Sequence, residues 1–263
     1  MTEWNAPGYA RIAALQQAMA EEALALLALK GAERVLDLGC GNGKVTAEIA
    51  ARLPDGAIIG VDSSAEMIAF ASDRFSRRNL RFQVCDIRDL PFRQEFDLVV
   101  SFNALHWIPD QARALRALRS AMKPDAVAQL RLVPDGERKS LEYVIEETRL
   151  SPRWEQYFHN FHDPYLHLSP QQYAALAEQN GLQVRRIATE DKSWDFGSRA
   201  AFEAFGSVTF VEWTKFLPEQ QRPAFVNDVL DRYRAVACDR PGEENVFKFY
   251  QMNVTLALDP PAR

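Results

Sequence analysis

The chain predicts a doubly wound α/β fold, a mostly parallel, seven-stranded sheet carrying a helical cap insertion. Three observations lead there. A short apolar run, Val35 to Leu38, ends in the glycine cluster Gly39-Cys40-Gly41-Asn42-Gly43 and passes into a segment with helical spacing. A second apolar run, Ala57 to Val61, ends on a carboxylate, Asp62. Beyond it, helix-like and strand-like segments alternate as far as residue 133. Strands joined through helices pair in parallel, because a parallel pair needs a crossover connection.

Each element has its own signal. Lys44 to Leu53 reads as a helix with Val45, Ile49 and Leu53 on one face. Ser64 to Phe75 is the next, with Met67, Ile68 and Ala71 spaced for an apolar face. Arg81 to Cys85 is a strand closing at Asp86, and Phe96 to Phe102 is a strongly apolar strand. Gln111 to Met122 is a helix with Leu115, Leu118 and Met122 inward, and Ala126 to Val133 is a fifth strand. After Pro134 the rhythm changes. Glu137 to Leu150 reads as a helix, and Ser151 to His167 is rich in aromatics and histidine. Ser169 is an N-cap with Pro170 in the first turn of a helix through Asn180, which Gly181 ends. Leu182 to Phe196 and Asn245 to Leu258 are expected to complete the sheet, with helices near Arg199–Val208 and Pro218–Val236 between them. The expected organisation is one domain over 1–263: residues 1–133 a cofactor-binding half, 134–180 a cap over the carboxyl edge of the sheet, and 181–263 the remaining helices and strands.

Composition narrows the function classes. At 263 residues the chain is long enough for one large α/β domain. A net charge of −5 argues against a general polyanion-binding surface, so nucleic acid is not an expected partner. Cys40, Cys85 and Cys238 are odd in number and unrelated in spacing, which suggests neither a disulfide framework nor a zinc site. Met1-Thr-Glu-Trp lacks the basic start and apolar stretch of a signal peptide, and no run approaches membrane-spanning length. The expectation is a cytoplasmic protein without membrane contact; the oligomeric state is left open. His159, His162 and His167 have only Asp163 beside them, so no metal is expected, and the imidazoles read as the wet ends of an aromatic lid. Trp154, Tyr157, Phe158 and Phe161 of that segment either line an apolar substrate pocket or simply pack the cap.

The glycine cluster points to a ligand. A strand, a glycine turn and a helix in that order place backbone N–H groups and a positive helix end against it. Asp62, at the carboxyl end of the next strand, is where a carboxylate can accept both hydroxyls of a ribose. The glycines are spaced Gly-x-Gly-x-Gly, whereas the dinucleotide fingerprint is Gly-x-Gly-x-x-Gly. Asp37, two residues before the first glycine, would repel a pyrophosphate and suits a ligand carrying an ammonium group. An ordinary glycine turn and a nicotinamide site remain the alternatives at this point.

The pattern Asp37-x-Gly39-x-Gly41-x-Gly43 resembles the first motif of the class I S-adenosylmethionine-dependent methyltransferases, whose fold is Rossmann-like. Within that superfamily the chain is similar to the trans-aconitate and juvenile hormone acid methyltransferases. The resemblance covers nearly the whole length. It runs through Trp4-Asn5, Tyr9 and Gln16, Val35–Gly43, Gly60-Val-Asp-Ser-Ser-Ala-Glu-Met67, Cys85-Asp-Ile87 and Ser101-Phe-Asn-Ala-Leu-His-Trp-Ile108. One departure is Lys123-Pro-Asp-Ala, where the family usually has Pro-Gly-Gly before the fifth strand.

The resemblance implies S-adenosyl-L-methionine as cofactor and a small organic acid as methyl acceptor. Asp37, Gly39, Cys40 and Gly41 would form the cofactor loop, and Asp62 with Ser63 would take the ribose. Met67 would pack on the adenine, Asp86 and Ile87 would meet its amino edge, and the Asn103–Ala104 backbone would meet the methionine part. Tyr9 would close over the cofactor. Gln16 and Trp107 would orient the acceptor carboxylate through an amide N–H and an indole N–H, with His106 beside them at the mouth of the site. A carboxylate is already ionised at neutral pH and needs no strong base. Alignment of oxygen, methyl carbon and sulfonium is then the enzyme's main task. The alternatives are C- or N-methylation of another small metabolite, O-methylation of a carrier-protein-bound acid, and a non-catalytic cofactor-binding regulator.

Overall fold

The computed structural model describes residues 6–166 and 168–258, and of residues 6–13 the backbone alone. Trp4, Asn5, the side chain of Tyr9 and His167 therefore lie outside the described residues. The chain divides into two compact units: Ala20–Pro134 with Leu166–Glu190 and Gln251–Arg263, and Met1–Met19 with Asp135–Tyr165 and Asp191–Tyr250.

The first unit holds the ligand-binding edge of the sheet. Its strands are β1 (Arg34–Leu38), β2 (Ala57–Asp62), β3 (Leu80–Val84), β4 (Phe96–Phe102), β5 (Met122–Leu132), β6 (Leu182–Asp195) and β7 (Val246–Leu258), the last two running on into the second unit. They lie in the order β3-β2-β1-β4-β5-β7-β6. Pairing is parallel from β3 across to β5, and β7 is antiparallel to β5, with Val127 opposite Ala257 and Leu132 opposite Met252. From β1 the chain winds outward through β2 and β3, then returns to place β4 on the other side of β1. The reversal opens a crevice at the carboxyl ends of β1 and β4, the switch point where open α/β sheets bind ligands.

Both faces of these strands are covered, which is why they read as nearly unbroken apolar runs. On one face Leu36, Leu38, Val99 and Leu130 pack against Ala114, Leu115 and Leu118 of α4 (Gln111–Ala121) and Tyr173 and Ala177 of α6 (Pro170–Gln179). On the other, Val35, Ile58 and Val100 meet Ala47, Ile49 and Ala50 of α2 (Lys44–Ala51) and Leu24 of α1 (Ala6–Ala25). A buried salt-bridged arginine fastens α1: Arg131 Nη2 stands 3.1 Å from a Glu22 carboxylate oxygen, with only 3% of the arginine side chain exposed.

The expected elements are present, with shifts that have local causes. Ser64 caps α3 (Ala65–Arg74) by accepting from the Met67 N–H. Ser140 does the same for α5 (Leu141–Arg149), so that helix starts later than its apolar pattern suggests. Ser169 and Gln172 form a reciprocal capping box at α6. The Lys123-Pro-Asp stretch is not a turn ahead of the fifth strand but part of it. Phe96 pairs with Met122 and Leu98 with Val127, so one intervening residue of β4 stands against four of β5, and the irregularity accommodates Pro124.

The second unit is built from α5, α7 (Arg199–Thr209), α8 (Val211–Thr214) and α9 (Arg222–Ala237) around packed rings. Trp154 meets Phe225 edge to face at 5.2 Å, and its indole N–H donates to Asp228 at 2.7 Å. Trp154 and Phe158 are 1% and 4% exposed, so these two belong to the unit's own core rather than to a pocket wall. His159 and His162 are exposed. The unit draws on residues 1–19, 135–165 and 191–250. α6 packs on the sheet through Tyr173 and Ala177, while α7 to α9 join residues 135–165.

Candidate functional site

At the carboxyl edge of the first unit lies a cavity of about 420 Å³ lined by Gly39, Asp62, Ser63, Asp86, Ile87, Arg88, Asn103, Ala104, Trp107, Ile108 and Pro109. It occupies the switch point. The loops after β1 and β4 touch there: a Cβ on Gly39 would stand 2.2 Å from the Ala104 Cβ, and Gly39 has φ +75°. Steric room and backbone conformation both demand glycine at this position.

Asp62 organises the loop. One of its oxygens accepts from the Gly41 N–H at 3.0 Å and the other from the Ser64 N–H at 2.9 Å. A carboxylate has about four lone-pair sites, so each oxygen keeps capacity for one more donor, which suits a vicinal diol. The N–H groups of Gly39 and Cys40 are spent on the Val61 carbonyl (2.8 and 3.0 Å) and that of Gly43 on the Cys40 carbonyl. With Gly41 bound to Asp62, the loop does not offer the row of free N–H groups that the sequence reading placed against the ligand. A diphosphate has no cradle here. Of the charged side chains lining the cavity, two are carboxylates and the one cation, Arg88, is engaged by Asp86.

Asp86, two residues beyond the end of β3, caps the 3₁₀ turn Ile87–Asp89 by accepting from the Arg88 N–H. The Arg88 guanidinium closes on both its oxygens, at 2.9 Å (Nε to Oδ1) and 2.6 Å (Nη2 to Oδ2), and holds its pKa below the usual carboxylate range. An adenine amino group must share this carboxylate with Arg88.

Other expected residues sit elsewhere. Asp37 is 3% exposed, is not part of the lining, and accepts from the Thr46 hydroxyl at 2.7 Å. Burial pushes its pKa up to about 6, against the Thr46 hydrogen bond and with help from the Asp62 charge. Cys40 is buried against Gly60, and burial raises its thiol pKa. Met67 is 45% exposed on α3 and does not line the cavity. His106 is 5% exposed and also off the lining. Its Nδ1 accepts from the Val133 N–H at 3.3 Å, and burial lowers its pKa to about 3. It is a neutral strut between the β4 loop and the end of β5, not a group at the mouth. Trp107 does line the cavity, on the 3₁₀ turn Leu105–Trp107. Gln16 is an exposed residue of the second unit.

Sequence reasoning missed Arg88, Ile108 and Pro109 on the wall, and Gln111 behind it. Gln111, 2% exposed, donates to the carbonyls of Leu105 and Ile108 and so holds the turn that carries Trp107. The available signal was polarity out of place: a glutamine at the start of an amphipathic helix, and an arginine two residues after a strand-end aspartate. Among the described residues no group of three or more His, Cys, Asp or Glu could hold a metal, and no helix is long and apolar enough to cross a membrane.

A glycine loop, a carboxylate at the end of β2 and a switch-point cavity without a diphosphate cradle are the features of a ligand-binding α/β protein of the doubly wound class. Comparison with known proteins gives the family. Residues 35–125 match the family described as Methyltransferase domain. The chain is 31% identical over 255 residues to the trans-aconitate 2-methyltransferase of Deinococcus radiodurans, covering 94% of this chain and 95% of that protein. It is 35% identical over 125 residues to the malonyl-[acyl-carrier protein] O-methyltransferase of Acetivibrio thermocellus, covering 47% of this chain and 44% of that one. The YcgJ protein of Bacillus subtilis has the same fold, with a TM-score of 0.62 at 18% identity, covering 92% of this chain and 99% of that one. The chain belongs to the class I S-adenosylmethionine-dependent methyltransferases, in the trans-aconitate methyltransferase group. It is an enzyme whose cofactor is S-adenosylmethionine.

The buried acid makes a testable statement about stability. At pH well below 3.8 the Asp37 carboxyl is neutral whether the chain is folded or not, and burial costs nothing. As pH rises through the folded value of about 6, the folded state must ionise a buried group and loses stability. Asp37→Asn should therefore gain on the wild type by ~1–3 kcal/mol between acid and neutral pH in the cofactor-free protein. Urea midpoints at about pH 4.5 and about pH 7.5 measure it; a gap that stays constant or moves the other way contradicts the assignment.

Proposed function

We propose that the enzyme methylates the carboxylate of a small organic acid, and that it works in the cytoplasm. One observation supports this above the others: the titratable side chains lining the cavity are Asp62, Asp86 and Arg88, each already hydrogen-bonded or ion-paired, and the neighbouring His106 is buried and neutral. Amine and carbon acceptors usually need a base to remove a proton, and a carboxylate does not. The relatives named for trans-aconitate and for a carrier-bound malonyl group also act on acids. The second of these favours a carrier-bound acid as the runner-up, although that likeness covers less than half of this chain.

In this reading Asp62 holds the ribose hydroxyls, with Ser63 beside it. Gly39 gives the close approach, Asp86 and Ile87 meet the adenine edge, and the Asn103–Ala104 turn meets the amino-acid end. The cofactor supplies an electrophilic methyl group on a sulfonium. The protein's part is to hold the acceptor oxygen in line with it and to keep water out, and alignment of this kind is worth ~7–11 kcal/mol. Trp107 on the cavity wall would direct the acceptor carboxylate through its indole N–H. Gln16, Tyr9 and Met67 take their roles from the resemblance alone.

Release of S-adenosylhomocysteine over a panel of aliphatic, unsaturated and aromatic acids, with amines and phenols as controls, tests the proposal. Methyl esters identified by mass are the expected products; turnover confined to amines, phenols or carbon acids would overturn it.

Two further outcomes follow. Asp62→Ala should raise the dissociation constant for S-adenosylhomocysteine at least about tenfold with circular dichroism unchanged, since each lost charge-assisted hydrogen bond is worth roughly 1.5–3 kcal/mol. Unchanged affinity by calorimetry would remove Asp62 from the site. Trp107→Phe and Gln16→Ala should each lower kcat/KM for the acid about ten- to a hundredfold while leaving cofactor affinity alone. A thermal midpoint that falls in step with activity would make Trp107 a packing residue instead.

A further inference from the structure

Gln251 is a buried amide, 0% exposed, on the phase of β7 that otherwise carries Phe247 and Phe249. Its Nε2 donates to the Leu132 carbonyl at 2.8 Å and to Asn103 Oδ1 at 3.1 Å. A backbone carbonyl can only accept, so the amide has one permitted orientation, NH₂ toward Leu132. The remaining proton must then meet an acceptor, and Asn103 has to present its oxygen. Gln251 Oε1 is left buried without a partner among the described residues, a cost the chain bears to keep this arrangement.

The consequence reaches the cavity. Asn103 lines it, its backbone is held in the left-handed region at φ 59°, and its N–H donates to the Arg131 carbonyl at 2.8 Å. With Oδ1 turned to Gln251, the donor that Asn103 offers a ligand is Nδ2. Neither end of this side chain is free to reverse. The charge pattern says what such a donor meets. Arg88 turns its Nε and Nη2 to Asp86 after β3, so a negative group lying beside the end of β4 meets the neutral donor of Asn103. In the proposed reading the adenine lies against Asp86 after β3 and the ribose at the end of β2, so the sheet order takes the amino-acid end of the cofactor across β1 toward β4, where Asn103 stands.

We infer that the Asn103 side chain donates to the carboxylate of the cofactor's amino-acid end, and that Gln251 is a positioning residue that fixes Asn103 as a donor. The inference rests on the cofactor and on the site proposed for it, and not on which acceptor is methylated.

Calorimetric titration without acceptor tests it, using S-adenosylhomocysteine and its decarboxylated analogue, which keeps the ammonium. Asn103→Gly preserves the left-handed backbone and should weaken S-adenosylhomocysteine about tenfold or more while changing the analogue less than about twofold. Gln251→Glu turns the Asn103 amide round, because a carboxylate attracts its NH₂. It should weaken S-adenosylhomocysteine about tenfold in the Asn103 background and cause no further loss beside Asn103→Gly. Where the buried carboxylate prevents folding, Gln251→Met should show a smaller loss with the same dependence on Asn103. Equal loss for both ligands, or no loss for either, overturns the Asn103 assignment. Equal loss from the Gln251 variants in both backgrounds overturns the positioning role. If wild type binds neither ligand, the failure belongs to the cofactor site itself.

Discussion

The site depends on one carboxylate. Asp62 accepts from Gly41 in the glycine loop and from Ser64 at the start of α3, and thereby joins β1's turn, β2's end and the next helix in one hydrogen-bonded knot. Because these donors are spent internally, the loop is a shaped wall and not an anion cradle. Each Asp62 oxygen keeps room for one more donor. The same economy appears at Asp86, whose oxygens both accept from Arg88, and at Asn103, whose oxygen accepts from Gln251. What these groups can still offer a ligand is set by what the protein has already taken.

Buried polar groups around the cavity share a second feature. His106 is neutral and bound to the backbone of Val133, Asp37 sits under α2 against Thr46, and Gln111 spans the carbonyls beneath Trp107. None of them is arranged as a proton acceptor for a substrate. They stiffen the loops that follow β1 and β4, which is what an alignment-driven reaction requires of its support.

The parallel half of the fold was legible because its signals are local. Glycines at 39, 41 and 43, an acid closing β2 and the cap at Ser169 each declare themselves within a few residues. Gly39 could be read as a turn; that it also makes room for Ala104 needed the structure, since the two lie in loops that follow strands brought together by the crossover. Orientation was less legible. Asp37 and His106 stand in the right motif but face inward, and sequence spacing does not say which side of a strand end a side chain takes. Gln251 lies 148 residues from its partner Asn103, and nothing local marks the pair. The aromatics at Trp154 and Phe158 were open to both readings, because composition cannot distinguish a wall from a core.

The central claim is that this cavity accepts an adenosine ligand and has no place for a diphosphate. Parallel calorimetric titrations of the wild-type protein with S-adenosylhomocysteine and with a nicotinamide dinucleotide test it most directly. The account predicts saturable one-to-one binding of S-adenosylhomocysteine and none of the dinucleotide under the same conditions. Dinucleotide binding of equal or greater affinity would contradict it.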